Sequence, residues 1–116
     1  MLLAALLLGP ALGCEAHPQA PSNCLDMCQA AEGLYGQCLE DWGLGWPDAG
    51  HESGDSFVDS CHTWTWELQV MEEQEIQAGD AVEGRTAEFC QQRFETLSAS
   101  QATCAAYTDQ EWGHLL

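Results

Sequence analysis

Residues Ser22 to Trp42, SNCLDMCQAAEGLYGQCLEDW, contain three of the seven cysteines of this 116-residue chain. Cysteine, alanine and aromatic positions recur there in steps of four and three. These positions are Cys24, Cys28, Ala31, Tyr35 and Cys38. Such a period places side chains on one face of an α-helix. The stretch therefore predicts a first helix, N-capped by Ser22 or Asn23, with three half-cystines on one face that need partners elsewhere.

Two further segments show the same helical period. A second helix is predicted to start after Asp55 or Ser56, with Phe57, Cys61, Trp64, Leu68 and Met71 on its inner face. A third starts near Thr86, with Cys90, Phe94, Leu97, Gln101, Cys104 and Thr108 on its inner face. Residues 98–101 also fit a capping box, so a continuous third helix and a broken pair of helices both remain open. The sequence predicts an all-α domain, a small three-helix bundle stapled by about three disulfides.

The cysteine spacing limits how the helices can be joined. Cys24 and Cys38 are separated by the same fourteen residues as Cys90 and Cys104, a helical rise of about 21 Å. Two helices with this equal cysteine spacing can be joined by two disulfides whether they run parallel or antiparallel. A loop at 43–54 that returns along the bundle brings Cys61 to Cys28 and makes the third helix antiparallel to the first. The predicted pairs are then Cys24–Cys104, Cys28–Cys61 and Cys38–Cys90.

The charge is strongly one-sided. Nineteen acidic residues face two basic ones, Arg85 and Arg93, and the net charge is −17. Because phosphate binding depends on Lys and Arg, this composition argues against nucleic acid as a partner. Such acidity is typical of a soluble protein surface. Seven cysteines in a chain this short indicate an oxidising compartment.

The N-terminus has the features of an export signal. MLLAALLLGPALGC begins with an apolar run that is too short to span a bilayer, followed by small residues. Ala11-Leu12-Gly13 before Cys14 resembles the lipobox of bacterial lipoprotein precursors. That resemblance, confined to residues 1–14, implies cleavage before Cys14 and a diacylglycerol anchor on its sulfur. Cleavage by an ordinary signal peptidase, leaving Cys14 without lipid, is the alternative.

The expected organisation is a signal peptide over residues 1–13, a lipidated N-terminus and flexible tether over 14–23, and a cysteine-rich helical domain over 24–116. The tether contains Pro18 and Pro21 and lacks apolar periodicity. The localisation expected is the bacterial cell envelope, through the lipid, or the periplasm or exterior. The cysteine spacing of the helical domain matches neither insect odorant-binding proteins nor elicitins.

The chain contains no recognisable catalytic motif. There is no Gly-x-Ser-x-Gly and no glycine-rich phosphate loop after a strand. The four histidines, at positions 17, 51, 62 and 114, are scattered, and the loop at 43–54 lacks the calcium-binding pattern. We therefore expect no enzyme activity, no metal and no cofactor.

The five tryptophans give the remaining functional indication. Trp42, Trp46 and Trp66 are candidate ligand contacts, because exposed aromatic rings stack on sugars or anchor partners. Packing of Trp46 under the loop is the other interpretation. The function expected is a structural or protein-interaction role at the cell envelope, with an envelope protein as partner. The alternative is a secreted module that binds a small ligand or glycan.

Overall fold

The computed structural model describes residues 20–99 and 102–105. It contains three α-helices: α1 over Ser22–Asp41, α2 over Gly54–Gln77 and α3 over Arg85–Leu97. A short 3-10 turn, Trp46–Ala49, lies in the loop between α1 and α2. These described residues contain no strand. The prediction of an all-α, disulfide-stapled three-helix fold is confirmed.

The starts of the first two helices differ in detail from the prediction. α1 begins at Ser22 without a side-chain cap, and the N–H of Cys24 donates to the carbonyl of Pro21 at 2.9 Å. Asn23, predicted as a cap, instead donates its amide to the Ala87 carbonyl at 2.7 Å and so links α1 to α3. α2 begins slightly earlier than predicted, because the Ser53 hydroxyl accepts a hydrogen bond from the Ser56 N–H.

The third helix is shorter than a continuous helix would be. α3 ends at Leu97 with Ser98 at its C-cap, so the broken third helix is confirmed and the continuous helix is wrong. Serine side chains compete for backbone hydrogen bonds, which favours an end here. Helical structure resumes at Cys104 and Ala105. The predicted inner-face residues Gln101 and Thr108 lie outside the described residues.

The core lies where the three helices meet, and all four of its cysteines are fully buried. Its buried members are Cys24, Met27, Cys28, Ala31, Phe57, Val58, Cys61, Trp64, Cys90 and Leu97. Met71, predicted on the inner face of α2, is 52% exposed. The neighbouring Glu72 is buried in its place.

The disulfides pair the six domain cysteines as Cys24–Cys90, Cys28–Cys61 and Cys38–Cys104. The pair Cys28–Cys61 is confirmed. The predicted pairs Cys24–Cys104 and Cys38–Cys90 are wrong, although the same four cysteines are used. The observed pairs Cys24–Cys90 and Cys38–Cys104 each span 66 residues of sequence. The later cysteine of α1 therefore pairs with the later of the other two, and α3 runs in the same direction as α1.

The loop between α1 and α2 explains this direction. A Cβ atom at Gly54 would lie 2.5 Å from Oε2 of Glu32, so α2 starts beside the middle of α1. The ring of Phe57 lies 5.7 Å from that of Tyr35, and Cys61 then meets the earlier Cys28. The loop therefore returns along only part of α1, α2 runs antiparallel to it, and α3 runs parallel to α1.

Candidate functional site

Trp46 is part of an aromatic cluster that fixes the loop onto the helices. Its ring centroid lies 5.3 Å from that of Tyr35 and 5.4 Å from that of Phe57, and His51 packs on Phe57 at 5.2 Å. A Cβ added at Gly36 would meet the Trp46 ring at 3.2 Å. The prediction that Trp46 pins the loop is confirmed. Because neighbouring side chains cover much of its ring, Trp46 has little free surface for stacking a ligand.

Trp42 is more exposed to solvent than Trp46. It is the C-cap of α1 and is 50% exposed, and Leu44 beside it is 47% exposed. The N–H of Leu44 donates to the carbonyl of Leu39 at 2.8 Å, which holds this turn against the helix end. We call Trp42, Gly43 and Leu44 the tip surface. Two large apolar side chains in one turn are a candidate contact for a partner.

Trp66 does not join this surface. It is 38% exposed and lies on α2, five residues beyond Cys61. The Cys28–Cys61 disulfide places it toward the N-terminal end of α1, whereas Trp42 lies fourteen residues beyond Cys28, about 21 Å along the helix. The three candidate tryptophans therefore do not form one binding surface.

A buried carboxylate connects α2 to α3. Glu72 is 4% exposed, and its two oxygens accept the backbone N–H groups of Gly84 and Thr86 at 2.8 and 2.7 Å. Gly84 is the N-cap of α3 and has no side chain to offer. Glu72 thus caps α3 from another helix, where a negative charge is also favoured by the helix dipole.

The groups around Glu72 lower the pKa of its carboxyl group. Burial by itself raises the pKa of Glu72, but hydrogen bonds from Thr86 and Gly84 and the charge of Arg85 outweigh burial, so the pKa lies below its ordinary value. A shifted acid is a candidate for catalysis. Here both carboxylate oxygens bond to the helix end, and the group is a structural cap. Sequence reasoning missed this role.

Both basic residues of the chain lie on α3 with Phe89 between them. Arg85 forms a two-pronged ion pair with the exposed Glu75 carboxylate, at 2.5 and 3.0 Å. The guanidinium of Arg93 lies 3.7 Å from the centroid of the Phe89 ring. An open groove runs beside Phe89, lined by Ala81, Val82, Glu83, Arg85, Glu88, Phe89 and Gln92. The spacing of residues 85, 89 and 93 at four-residue steps was the sequence signal for this shared face.

Two of the four histidines, His51 and His62, lie in the part of the chain that the structure describes. Within residues 20–99 and 102–105, no three His, Cys, Asp or Glu side chains come together to hold a metal ion. His51 packs on aromatic rings. His62 is partly buried, and its Nε2 atom has no hydrogen-bond partner among the described residues. His17 and His114 lie outside the described residues.

Cys14 and the lipobox-like segment also lie outside the described residues. The six remaining cysteines pair with one another. No other cysteine of this chain is therefore available to form a disulfide with Cys14. Three disulfides are consistent with an exported protein in an oxidising compartment. None of the described helices combines the length and the apolarity needed to cross a membrane.

Comparison with models of known protein families, with curated proteins and with solved structures finds no match for this chain.

Proposed function

We propose that this chain is a non-enzymatic, acidic, exported protein that is held at the bacterial cell envelope by a lipid on Cys14. Its role there is structural or consists of binding another envelope protein. The observation that carries the proposal is the complete pairing of the six domain cysteines. That pairing leaves Cys14, directly after a lipobox-like sequence, as the single cysteine without a partner in the chain.

The arrangement of the domain supports attachment through its N-terminus. α1 begins at Ser22, so seven residues separate Cys14 from the first helix. Even fully extended, the link from Cys14 to Ser22 covers about 28 Å, at about 3.5 Å per residue. A lipid on Cys14 would hold the domain close to the bilayer, with the N-terminal end of α1 nearest to it. The tip surface at the opposite end of α1 would then face away from the membrane and be open to a partner.

Lipidation is tested by expressing the full chain in a bacterial host with labelled palmitate. We expect the label in the mature protein, an intact mass that includes a diacylglycerol on Cys14, and partition into the detergent phase. The matched control is Cys14→Ser, which leaves all six domain cysteines in place and should remain in the aqueous phase. An unlabelled mature protein that begins at another residue would overturn the lipid anchor.

The interaction role is tested at the tip surface. A photo-crosslinking amino acid at Leu44 should give one discrete adduct in intact envelopes. The same group at Gln74, which is exposed on α2 toward the other end of the molecule, serves as the control. Equal or absent crosslinking at the two positions would remove the tip surface as the partner site.

The glycan or small-ligand alternative is separated by tryptophan fluorescence. The observation that favours this alternative is the exposure of Trp42 and Trp66. A saturable emission change across a glycan and lipid panel, lost in Trp42→Phe or in Trp66→Phe, would favour a ligand-binding module. A flat response across the panel would favour the protein-interaction role.

A further inference from the structure

The three disulfides differ in how deeply they are buried. The four cysteines of Cys24–Cys90 and Cys28–Cys61 are all 0% exposed. In the third disulfide Cys38 is also fully buried, but its partner Cys104 is partly exposed. Thiol–disulfide exchange requires that a thiolate reach one of the two sulfurs. Cys104 offers the route by which a thiol from solution can approach.

The disulfides also differ in what they hold together. Cys24–Cys90 joins α1 to α3, and Cys28–Cys61 joins α1 to α2. These two bonds already connect all three helices to one another. Cys38–Cys104 instead joins α1 to the chain beyond the end of α3 at Leu97. Breaking it leaves the helix bundle crosslinked.

We propose that Cys38–Cys104 is a thiol-exchange site, and that Cys104 is the position attacked by a low-molecular-weight thiol or a dithiol reductant. The attacking thiolate forms a new S–S bond to Sγ of Cys104. The bond to Cys38 breaks, and the Cys38 sulfur leaves as a thiolate that takes a proton from water. Cys104 is left as a mixed disulfide with the attacking thiol.

A second thiol completes the reduction. It attacks the sulfur of the small thiol in the mixed disulfide, Cys104 leaves as a thiolate and is protonated, and the two reductant sulfurs become a disulfide. In total the protein disulfide takes up two electrons and two protons from two thiols. In the product Cys104 has lost its covalent link to α1, while the other two disulfides are intact.

Cys38 lies near the end of α1 that carries the tip surface. Cys38 and Trp42 are four residues apart and lie on the same face of the helix. Cys38 therefore lies one helical turn before Trp42. Exchange at Cys104 therefore removes a crosslink beside this surface, while the two buried disulfides continue to join the three helices.

The test is a time course of partial reduction of the native, oxidised protein. Dilute glutathione or dithiothreitol at pH 8 is followed by an acid quench, alkylation and peptide mapping. We expect Cys38 and Cys104 to become alkylated at least tenfold faster than the four cysteines of the two buried disulfides. Glutathione should give an adduct on Cys104 and not on Cys38. Far-UV circular dichroism of the partly reduced protein should retain its helical signal.

Two variants provide the controls. Cys38→Ser with Cys104→Ser should keep the helical signal, and its four remaining disulfide cysteines should take up no glutathione at early times. Cys28→Ser with Cys61→Ser removes a buried bond, and Cys38–Cys104 should still be reduced first. Equal reduction rates for all three disulfides, prior reduction of a buried one, an adduct on Cys38, or loss of the helical signal on partial reduction would each overturn the proposal.

Discussion

The carboxylate of Glu72 lies 2.7 Å from the backbone nitrogen of Thr86, and this contact joins two helices whose ends would otherwise meet without a cap. α3 begins after Gly84, which adopts the left-handed conformation with φ of 81°. Glycine has no side chain that could accept a hydrogen bond from the first turn. The acidic residue that completes α3 therefore comes from twelve to fourteen residues earlier in the chain.

Replacement of Glu72 by glutamine should destabilise the domain by about 1–3 kcal/mol. Gln keeps one acceptor oxygen but turns an NH2 donor toward the helix end, so one buried N–H loses its partner. Glu73→Gln is the matched control, because it removes the same charge one residue away, and it should change the unfolding free energy by less than about 0.5 kcal/mol. Urea denaturation followed by circular dichroism measures both. Equal effects of the two substitutions would show that Glu72 is not a cap.

The same contact predicts a pH dependence. The hydrogen bonds lower the pKa of Glu72 in the folded state, so its stabilisation is fully present above the unfolded pKa of about 4.3. It is lost as the pH falls through the lower folded pKa. The stability difference between wild type and Glu72→Gln should therefore be constant from pH 7 to 5 and shrink below about pH 4. A difference that persists unchanged at pH 2 would contradict this assignment.

The sequence determines the three helices and the set of disulfide-bonded cysteines, but it does not determine the direction of α3. The equal spacing of Cys24 with Cys38 and of Cys90 with Cys104 is symmetric, and so it permits both directions. The direction depends on how far the loop returns along α1. That distance is set by the packing of Trp46 on Gly36 and of Gly54 on Glu32, which are tertiary contacts without a local signal.

The inner face of α2 was predictable only in its first half. Phe57, Cys61 and Trp64 follow the helical period and are buried. Near Glu72 the period favours Met71, yet the buried group is the carboxylate. The backbone N–H groups at the N-terminus of α3 require an acceptor, and this favours burial of the Glu72 carboxylate over burial of the apolar Met71 side chain. These N–H groups reach Glu72 only after α3 has packed against α2, so the sequence pattern of α2 alone does not predict the burial of Glu72.

The two central glycines of α1 should respond differently to alanine. Gly33 is exposed and has nothing within 4 Å of an added Cβ, so Gly33→Ala should stabilise the protein by about 1 kcal/mol through helix propensity. At Gly36 an added Cβ would lie 3.2 Å from the Trp46 ring. Gly36→Ala should therefore lose most or all of that gain. Thermal melts of both variants compare them directly, and equal stabilisation would place Trp46 away from Gly36.

Substitution of the two tryptophans near the start of the loop should have different effects. Trp46→Ala should lower the stability of the fold, and Trp42→Ala should weaken binding at the tip surface. Trp46 packs on Tyr35 and Phe57, so Trp46→Ala should cost about 3 kcal/mol of unfolding free energy, near the low end for a tryptophan in a core. Trp42 is 50% exposed, so Trp42→Ala should change stability by less than about 0.5 kcal/mol. The Leu44 crosslink in the envelope should be weakened by Trp42→Ala while the fold is unchanged. If Trp42→Ala unfolds the protein or leaves that crosslink intact, the tip surface is structural and not a partner site.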